Sequence, residues 1–401
     1  MRISLDGGRA AFLSYCANVH PGERLDDVWA ALDAAAQVRA ALPVGRLGLG
    51  LWLARSALQP LAADGGAHRL ADEIDRRGLE VVTLNGFPYG NFHAEVVKRA
   101  VYHPDWCTPE RAQYTRTLAE ILATLLPPRV DSGTISTSPL AHRNEVSGSV
   151  LAFTARATDA LCQLAADLAR LRDHTGKRIR VCVEPEPGCL LESTRDAISW
   201  WNDAVPAAAR RSGVPLDLAH EHLGVCFDTC HQAVAFEDAA TSLEALAVAR
   251  VPVGKMQLSS AIEVRVPGTP EGREALSRFA EQRFLHQVRA VGDDGRLAGI
   301  DDIYPDLEGL ERLPQDRAWR VHYHAPIHRD AVGDVSTTRG FLRDAIAWLR
   351  QSDQPVPHLD VETYTWSVLP ESERPGDQAS LVAGIAAELR WARDELTRPS
   401  P

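Results

Sequence analysis

Three carboxylates stand at the ends of strand-like runs: Glu184 in Arg180-Val-Cys-Val-Glu184-Pro-Glu186-Pro-Gly188, Asp228 in Leu223-Gly-Val-Cys-Phe-Asp228-Thr-Cys-His231, and Glu362 in His358-Leu-Asp-Val-Glu362-Thr-Tyr364-Thr-Trp366. Each follows a short apolar, partly β-branched run and precedes turn or helix-start chemistry, so parallel strands closed into a barrel would gather all three at one mouth. Like charges brought together repel, and a bound divalent cation is the expected reason to assemble them. Asp228 with His231 three residues on offers an oxygen and a nitrogen donor to one cation or to two adjacent ones. The plainer alternative is a helix N-cap aspartate followed by a solvated histidine. For Glu184 the alternative is an ion pair to an arginine at the barrel rim, disfavoured where Cys and Val leave little solvent.

Further candidates surround these three. In His322-Tyr-His324 the alternation puts both imidazoles on one side of a strand; His324, nearer the C-terminal end, is the expected metal ligand, and His322 either touches substrate or is a hydrogen-bonded core histidine. Gln257 can offer a carbonyl oxygen at the same level, and Lys255, one layer deeper, either reaches substrate or pairs with an inner carboxylate. His20, Asn85 and His93 follow early strands and contact a polyol or serve ordinary loop chemistry, while Tyr364 and Trp366 can wall a small substrate. The expected ligand set is therefore Glu184, Asp228, His231, Gln257, His324 and Glu362, with Glu184 and Glu362 as base and acid in proton transfer beside a carbonyl. Mostly oxygen donors favour Mn²⁺ or Mg²⁺, and use of both His231 and His324 would favour Zn²⁺.

The elements that must position these residues alternate between strand and helix. Strand-like runs are expected at 12–20, 46–53, 80–88, 133–139, 179–187, 223–231, 253–260, 319–327 and 358–366, with helices between them, which points to an α/β fold of repeated βα units, a (β/α)8 TIM barrel. In the second run Leu47, Leu49, Leu51 and Leu53 share one face and Gly48, Gly50 and Trp52 the other, as in a narrow barrel centre rather than an open sheet with bulk on both faces. Period two elsewhere turns Cys182, Glu184, Cys226, Asp228, His322, His324, Asp360, Glu362 and Tyr364 inward. Nine candidates compete for eight places, so either the run at 253–260 or the run at 319–327 lies outside the closed sheet, or the first run is a lid. Residues 284–291 and 297–303, joined by Gly292-Asp-Asp-Gly295, read as a β-hairpin insertion. We expect one barrel domain over 1–396, an insertion at about 261–318, helices opening at Ser193 and Ser336, a closing helix near 377–396 and a flexible tail at 397–401.

Bulk properties narrow the function classes. The chain of 401 residues has 43 Lys and Arg against 54 Asp and Glu, a formal charge of −11, and no basic run beyond pairs such as Arg76-Arg77 and Arg210-Arg211, so nucleic acid is not the expected partner. Seven cysteines form an odd set without a Cys-x-x-Cys pair, which fits reduced thiols in a cytoplasm. The N-terminal residues carry no long apolar stretch, and nowhere do the roughly 18 consecutive apolar residues of a membrane span occur.

The motifs together carry a resemblance. Strand-end Glu184, Asp228-x-x-His231 and a final Glu362 resemble the metal-binding pattern of the xylose isomerase-like TIM barrel superfamily. More narrowly, Tyr15-Cys-Ala-Asn-Val-His20-Pro-Gly-Glu23, Leu84-Asn85-Gly-Phe-Pro-Tyr-Gly-Asn-Phe-His93, Val101-Tyr-His-Pro-Asp-Trp106, Glu184-Pro-Glu-Pro-Gly-Cys-Leu-Leu-Glu192, Cys230-His-Gln-Ala-Val234 and Val361-Glu-Thr-Tyr-Thr-Trp366 resemble the EboE family of metabolite traffic proteins, nearly end to end. The superfamily resemblance implies a metal-dependent isomerase or epimerase acting on a small polyhydroxylated metabolite; the narrower one implies partners within a metabolite processing and traffic cluster. Gln257 departs from it, standing where relatives often carry a metal-binding histidine. Two other readings stay open: a non-enzymatic barrel that binds or hands over a metabolite in a transport assembly, and an endonuclease IV-like phosphodiester hydrolase. The oligomeric state is not legible.

Overall fold

The computed structural model describes residues 1–398 apart from 64, 306 and 308. Eight parallel strands form its centre: β1 (Ala10–Cys16), β2 (Leu47–Trp52), β3 (Leu79–Asn85), β4 (Ser132–Thr137), β5 (Arg178–Val183), β6 (Leu223–Asp228), β7 (Val253–Leu258) and β8 (His358–Val361). Each pairs with its sequence neighbours, and β1 pairs with both β2 and β8, so the sheet closes on itself. Helices separate most successive strands, as in Leu25–Ala40 after β1, Pro109–Leu125 after β3 and Val150–Thr175 after β4. This is a (β/α)8 TIM barrel.

Strand parity decides what fills the centre. Leu47, Leu49 and Leu51 of β2 are buried in the apolar layer that joins barrel and helices, while Gly48 and Gly50 face inward. A Cβ on Gly50 would lie 2.0 Å from Oδ2 of Asp360, so glycine makes room there for the polar plug of the barrel. In that plug Lys255 pairs with Asp360 at 3.0 Å, both side chains fully buried. Ser14 Oγ donates to Asp360 Oδ1 at 2.7 Å, and Lys255 Nζ to Ser136 Oγ at 3.3 Å. A charge this deep persists only when paired and hydrogen-bonded.

The ninth strand candidate lies outside the barrel. Its regular part is only Trp319–Val321, which joins a six-stranded antiparallel sheet with Ile262–Val264, Val288–Val291, Leu297–Ile300, Ala331–Val332 and Val335–Thr337. Trp319, Val321, Tyr323, Val288 and Phe279 give this sheet its own apolar core, which is why a run resembling a barrel strand is better satisfied here. The expected hairpin is present, Val288 to Val291 pairing antiparallel with Leu297 to Ile300. The sheet draws on residues as late as Thr337, beyond the expected end of the insertion near 318. Ser193 and Thr338 precede the helices Thr194–Ser199 and Arg339–Gln351, and Gln378–Leu396 closes the fold. Of the tail expected at 397–401, residues 399–401 lie outside the described residues.

Candidate metal centre

The strand ends deliver the three carboxylates to one place. Glu184 follows β5, its N–H donating to the Thr137 carbonyl of β4 at 3.0 Å before Pro185 and Pro187 carry the chain away. Asp228 ends β6 and caps the helix Thr229–Val234: its Oδ1 accepts from the N–H groups of Cys230 at 2.7 Å and His231 at 3.0 Å, and from Ser259 Oγ at 2.7 Å. Helix capping thus occupies one oxygen, and Oδ2 is left buried without a protein partner. Glu362 follows β8, its N–H bonded to the Leu258 carbonyl, and its Oε1 accepts from Asn18 Nδ2 at 2.8 Å and Asn85 Nδ2 at 2.9 Å. One oxygen from each of Glu184, Asp228 and Glu362 lies within 4.8 Å of the other two.

His324 reaches Asp228 from the insertion, one ligand atom each of Asp228, His231 and His324 lying within 4.8 Å of the other two. Its Nδ1 sits 2.9 Å from the Glu362 carbonyl oxygen, which can only accept, so the proton is on Nδ1 and Nε2 presents a lone pair. That Nε2 is buried and unpartnered, as are Glu184 Oε2 and both side-chain polar atoms of Gln257. Gln257 stands in register between Asp228 and Asp360 on the inner face of β7. The unpartnered Glu184 Oε2, Asp228 Oδ2 and His324 Nε2 are buried electron-pair donors of the kind a divalent cation would satisfy. Glu184, Asp228, Glu362 and His324 fit a divalent ion as donors, and Gln257 Oε1 lies at the same level of the barrel.

Electrostatics agree with the geometry. Burial, then the charges of Glu362 and Asp228, push the Glu184 carboxyl well above the ordinary range. Burial and Asp228 do the same to Glu362. Burial opposes ionisation of Asp228 as well, yet His231, His324 and the Ser259 hydroxyl hold it below its ordinary value. Desolvation lowers His324 to about 4, which keeps its imidazole neutral and its lone pair free.

Neither a family model nor a curated protein matches the sequence. Among solved structures, the chain is similar to an L-ribulose 3-epimerase at 13% identity, over 98% of this chain and 100% of that one, with a TM-score of 0.48. It is similar to a xylose isomerase domain containing protein from Salmonella typhimurium at 13% identity, over 95% and 97% of the two chains, TM-score 0.42. An IOLI protein with a bound zinc atom aligns at 11% identity, over 96% and 97%, TM-score 0.44. The chemistry of the site rests on its own residues.

Above the carboxylates is a small cavity of about 60 Å³. Its floor is polar, with Asn18, Asn85, Glu184, His231, His324 and Glu362, and its wall apolar, with Phe87, Phe92, Val101, Phe284 and Tyr364. The rings of Phe92, Phe284 and Tyr364 meet edge to face or tilted at 4.8 to 5.2 Å. Lys98, the one Lys or Arg along the cavity among the described residues, is held by Asp302 at 2.7 Å and by the carbonyls of Glu281 and Phe284.

Of the residues expected at the site, Asn85, Glu184, His231, His322, His324, Glu362 and Tyr364 line this cavity, with Asp228 and Gln257 buried at the strand ends beneath it. Lys255 is one layer deeper and bound to Asp360. His20 meets Tyr15 Oη at 3.3 Å, His93 bonds the Asn18 carbonyl at 2.8 Å, and Trp366 packs under the second sheet with Nε1 toward Glu388; none of these three lines the cavity. His322 and His324 were expected on one side of a regular strand. They follow Val321 as irregular chain, held by His322 N–H on the Gln287 carbonyl and Ala325 N–H on the Ser260 carbonyl. Asn18 was not anticipated as a site residue, because a lone Asn after a strand carries no signal until its carboxylate partner, 344 residues away, is known.

Proposed function

We propose that this protein is a metal-dependent isomerase or epimerase that moves a proton on a carbon beside a carbonyl in a small hydroxylated metabolite. The supporting observation is the buried convergence of Glu184, Asp228 and Glu362 with unpartnered oxygens on Glu184 and Asp228 and a bare His324 Nε2. A divalent ion held by these four, Mn²⁺ or Mg²⁺ by donor type, would supply positive charge beside the carbonyl oxygen as negative charge develops there. Glu184 and Glu362, at the open end of the site, take and return the carbon-bound proton. Asn18 and Asn85 pin one oxygen of Glu362 and thereby aim the carboxylate. The apolar wall excludes water and packs on the carbon face of the substrate. Lys98 is already neutralised by Asp302, so no Lys or Arg side chain lining the cavity among the described residues is free to pair with a phosphate, which favours a neutral substrate over a phosphodiester.

The resemblance to EboE proteins supports a place in a metabolite processing and traffic cluster, with other proteins of that cluster as partners. None of the seven cysteines is disulfide-bonded, which supports a reducing, cytoplasmic setting. No helix among the described residues is long and apolar enough to cross a membrane. The test is deuterium exchange: metal-loaded protein is incubated in heavy water with a panel of ketoses and hydroxyketones and followed by NMR. Wild type is expected to exchange the proton beside the carbonyl of at least one member, and Glu184→Gln and Glu362→Gln, folded by circular dichroism, to exchange none. Tight binding of a panel member without exchange would turn the reading to metabolite hand-over.

A further inference from the structure

A second cavity opens on the barrel face opposite the carboxylates, where the strands begin. It measures about 440 Å³, against about 60 Å³ for the cavity above the carboxylates. Val253 at the start of β7, the helices Ala239–Val248 and Arg339–Gln351, and the chain leading into β8 enclose it. Leu243, Val251, Met256, Trp348, Leu349 and Pro357 give it an apolar lining of the size and character of a small-molecule site.

Two arginines line this apolar space, and among the described residues no Asp or Glu does. Arg180 starts on β5 and runs across the floor of the barrel: a Cβ on Gly224 of β6 or on Gly254 of β7 would lie 3.0 Å from its Cδ, so the two glycines keep its path open. Its Nε donates to the Glu221 carbonyl at 3.1 Å and its Nη2 to the His220 carbonyl at 3.4 Å. No carboxylate pairs with it among the described residues, the Glu221 side chain being bound to Arg172. Burial lowers its guanidinium below the ordinary value. Arg250 follows the helix Ala239–Val248 with a φ of 56°, in the left-handed region where glycine is the ordinary residue after a helix. An arginine stands there against that preference, exposed and without an ion pair among the described residues.

Guanidinium groups beside an apolar wall, with carbonyls rather than carboxylates as partners, suit an anion that carries hydrocarbon. We propose that this cavity binds a small amphipathic anion, a carboxylate on an apolar chain or ring, with its charged end on Arg180 and Arg250 and its hydrocarbon against Met256, Trp348 and Leu349. A polyol would gain nothing from the apolar wall, and a cation would meet two like charges. The site is separate from the carboxylate centre and does not depend on the isomerase reading.

Sodium octanoate, below its micelle concentration, is titrated into the full chain by calorimetry, with octanol as the uncharged control. One equivalent of octanoate is expected to bind wild type, and octanol to bind about tenfold more weakly for want of a charge-assisted hydrogen bond. Arg250→Gly removes one guanidinium and relieves the backbone, so it should melt no lower than wild type yet bind octanoate about tenfold more weakly. Ala247→Phe fills the cavity without removing either arginine and should abolish binding. Circular dichroism checks each fold; should Ala247→Phe fail to fold, Arg250→Gly carries the test. No binding to wild type overturns the proposal, as does octanol binding as tightly as octanoate. Unchanged affinity in Arg250→Gly, or in a folded Ala247→Phe, places the octanoate elsewhere and overturns it too.

Discussion

Removing Lys255 tests whether the barrel centre is a balanced polar plug. Its ammonium lies 3.0 Å from Asp360 Oδ2, and at an effective dielectric of about 20 that separation corresponds to about 5 kcal/mol of attraction. Both groups are fully buried, so Lys255→Met strands a carboxylate whose only other partner among the described residues is Ser14. Breaking one side of such a pair costs about 3 to 5 kcal/mol, whereas replacing both sides with neutral groups costs far less. We expect Lys255→Met to lose about 4 kcal/mol, and Lys255→Met/Asp360→Asn to recover most of that loss. Guanidinium unfolding of wild type, both single variants and the double variant closes the cycle, provided the slope with denaturant stays constant. Losses that simply add in the double variant would refute the account of the plug.

Gly50→Ala drives a Cβ to 2.0 Å from the same Asp360 carboxylate, and an overpacking loss of about 3 kcal/mol is expected by the same assay. Asn18→Ala removes one of the two amides on Glu362 and should weaken Mn²⁺ binding roughly tenfold in calorimetry; an unchanged Kd would show that the amides do not aim the carboxylate. Glu388, buried on the closing helix, accepts from Thr363 Oγ1 at 2.6 Å, the Ile327 N–H at 3.0 Å and Trp366 Nε1 at 3.3 Å, and burial pushes it up to about 7. Because its folded value is raised, its contribution is whole below the ordinary value of 4.5 and is lost as pH climbs through about 7, a change of about 3 kcal/mol. Between about pH 5 and pH 8 wild type should lose that much more stability than Glu388→Gln, and parallel stability curves would contradict the assignment.

Period-two alternation was enough to turn Glu184, Asp228 and Glu362 inward, because a strand buried on both sides has only two ways to turn each residue. The glycines of β2 likewise announced a narrow centre, and Asp360 is the group that needs their space. Alternation alone did not decide whether the Trp319 run belongs to the barrel, since Trp319 and Val321 fit the core of a second sheet equally well and local pattern cannot choose between two apolar faces. His322 and His324 reached the site even so, through long-range hydrogen bonds to Gln287 and Glu362 that no local spacing encodes. The role of Asn18 depends on a partner that only the closed barrel brings near.

The central claim is that Glu184, Asp228 and Glu362 are assembled for a cation, and the sign of a single substitution tests it most directly. Thermal unfolding of wild type and Glu184→Gln is measured in EDTA and again with Mn²⁺. Without metal, removing one of three crowded carboxylates relieves repulsion, so Glu184→Gln should be at least as stable as wild type. With Mn²⁺ the order should reverse, because wild type gains binding energy that the variant has lost. The account is contradicted if Mn²⁺, Mg²⁺ and Zn²⁺ all leave wild type unmoved, or if Glu184→Gln gains as much from the metal as wild type does.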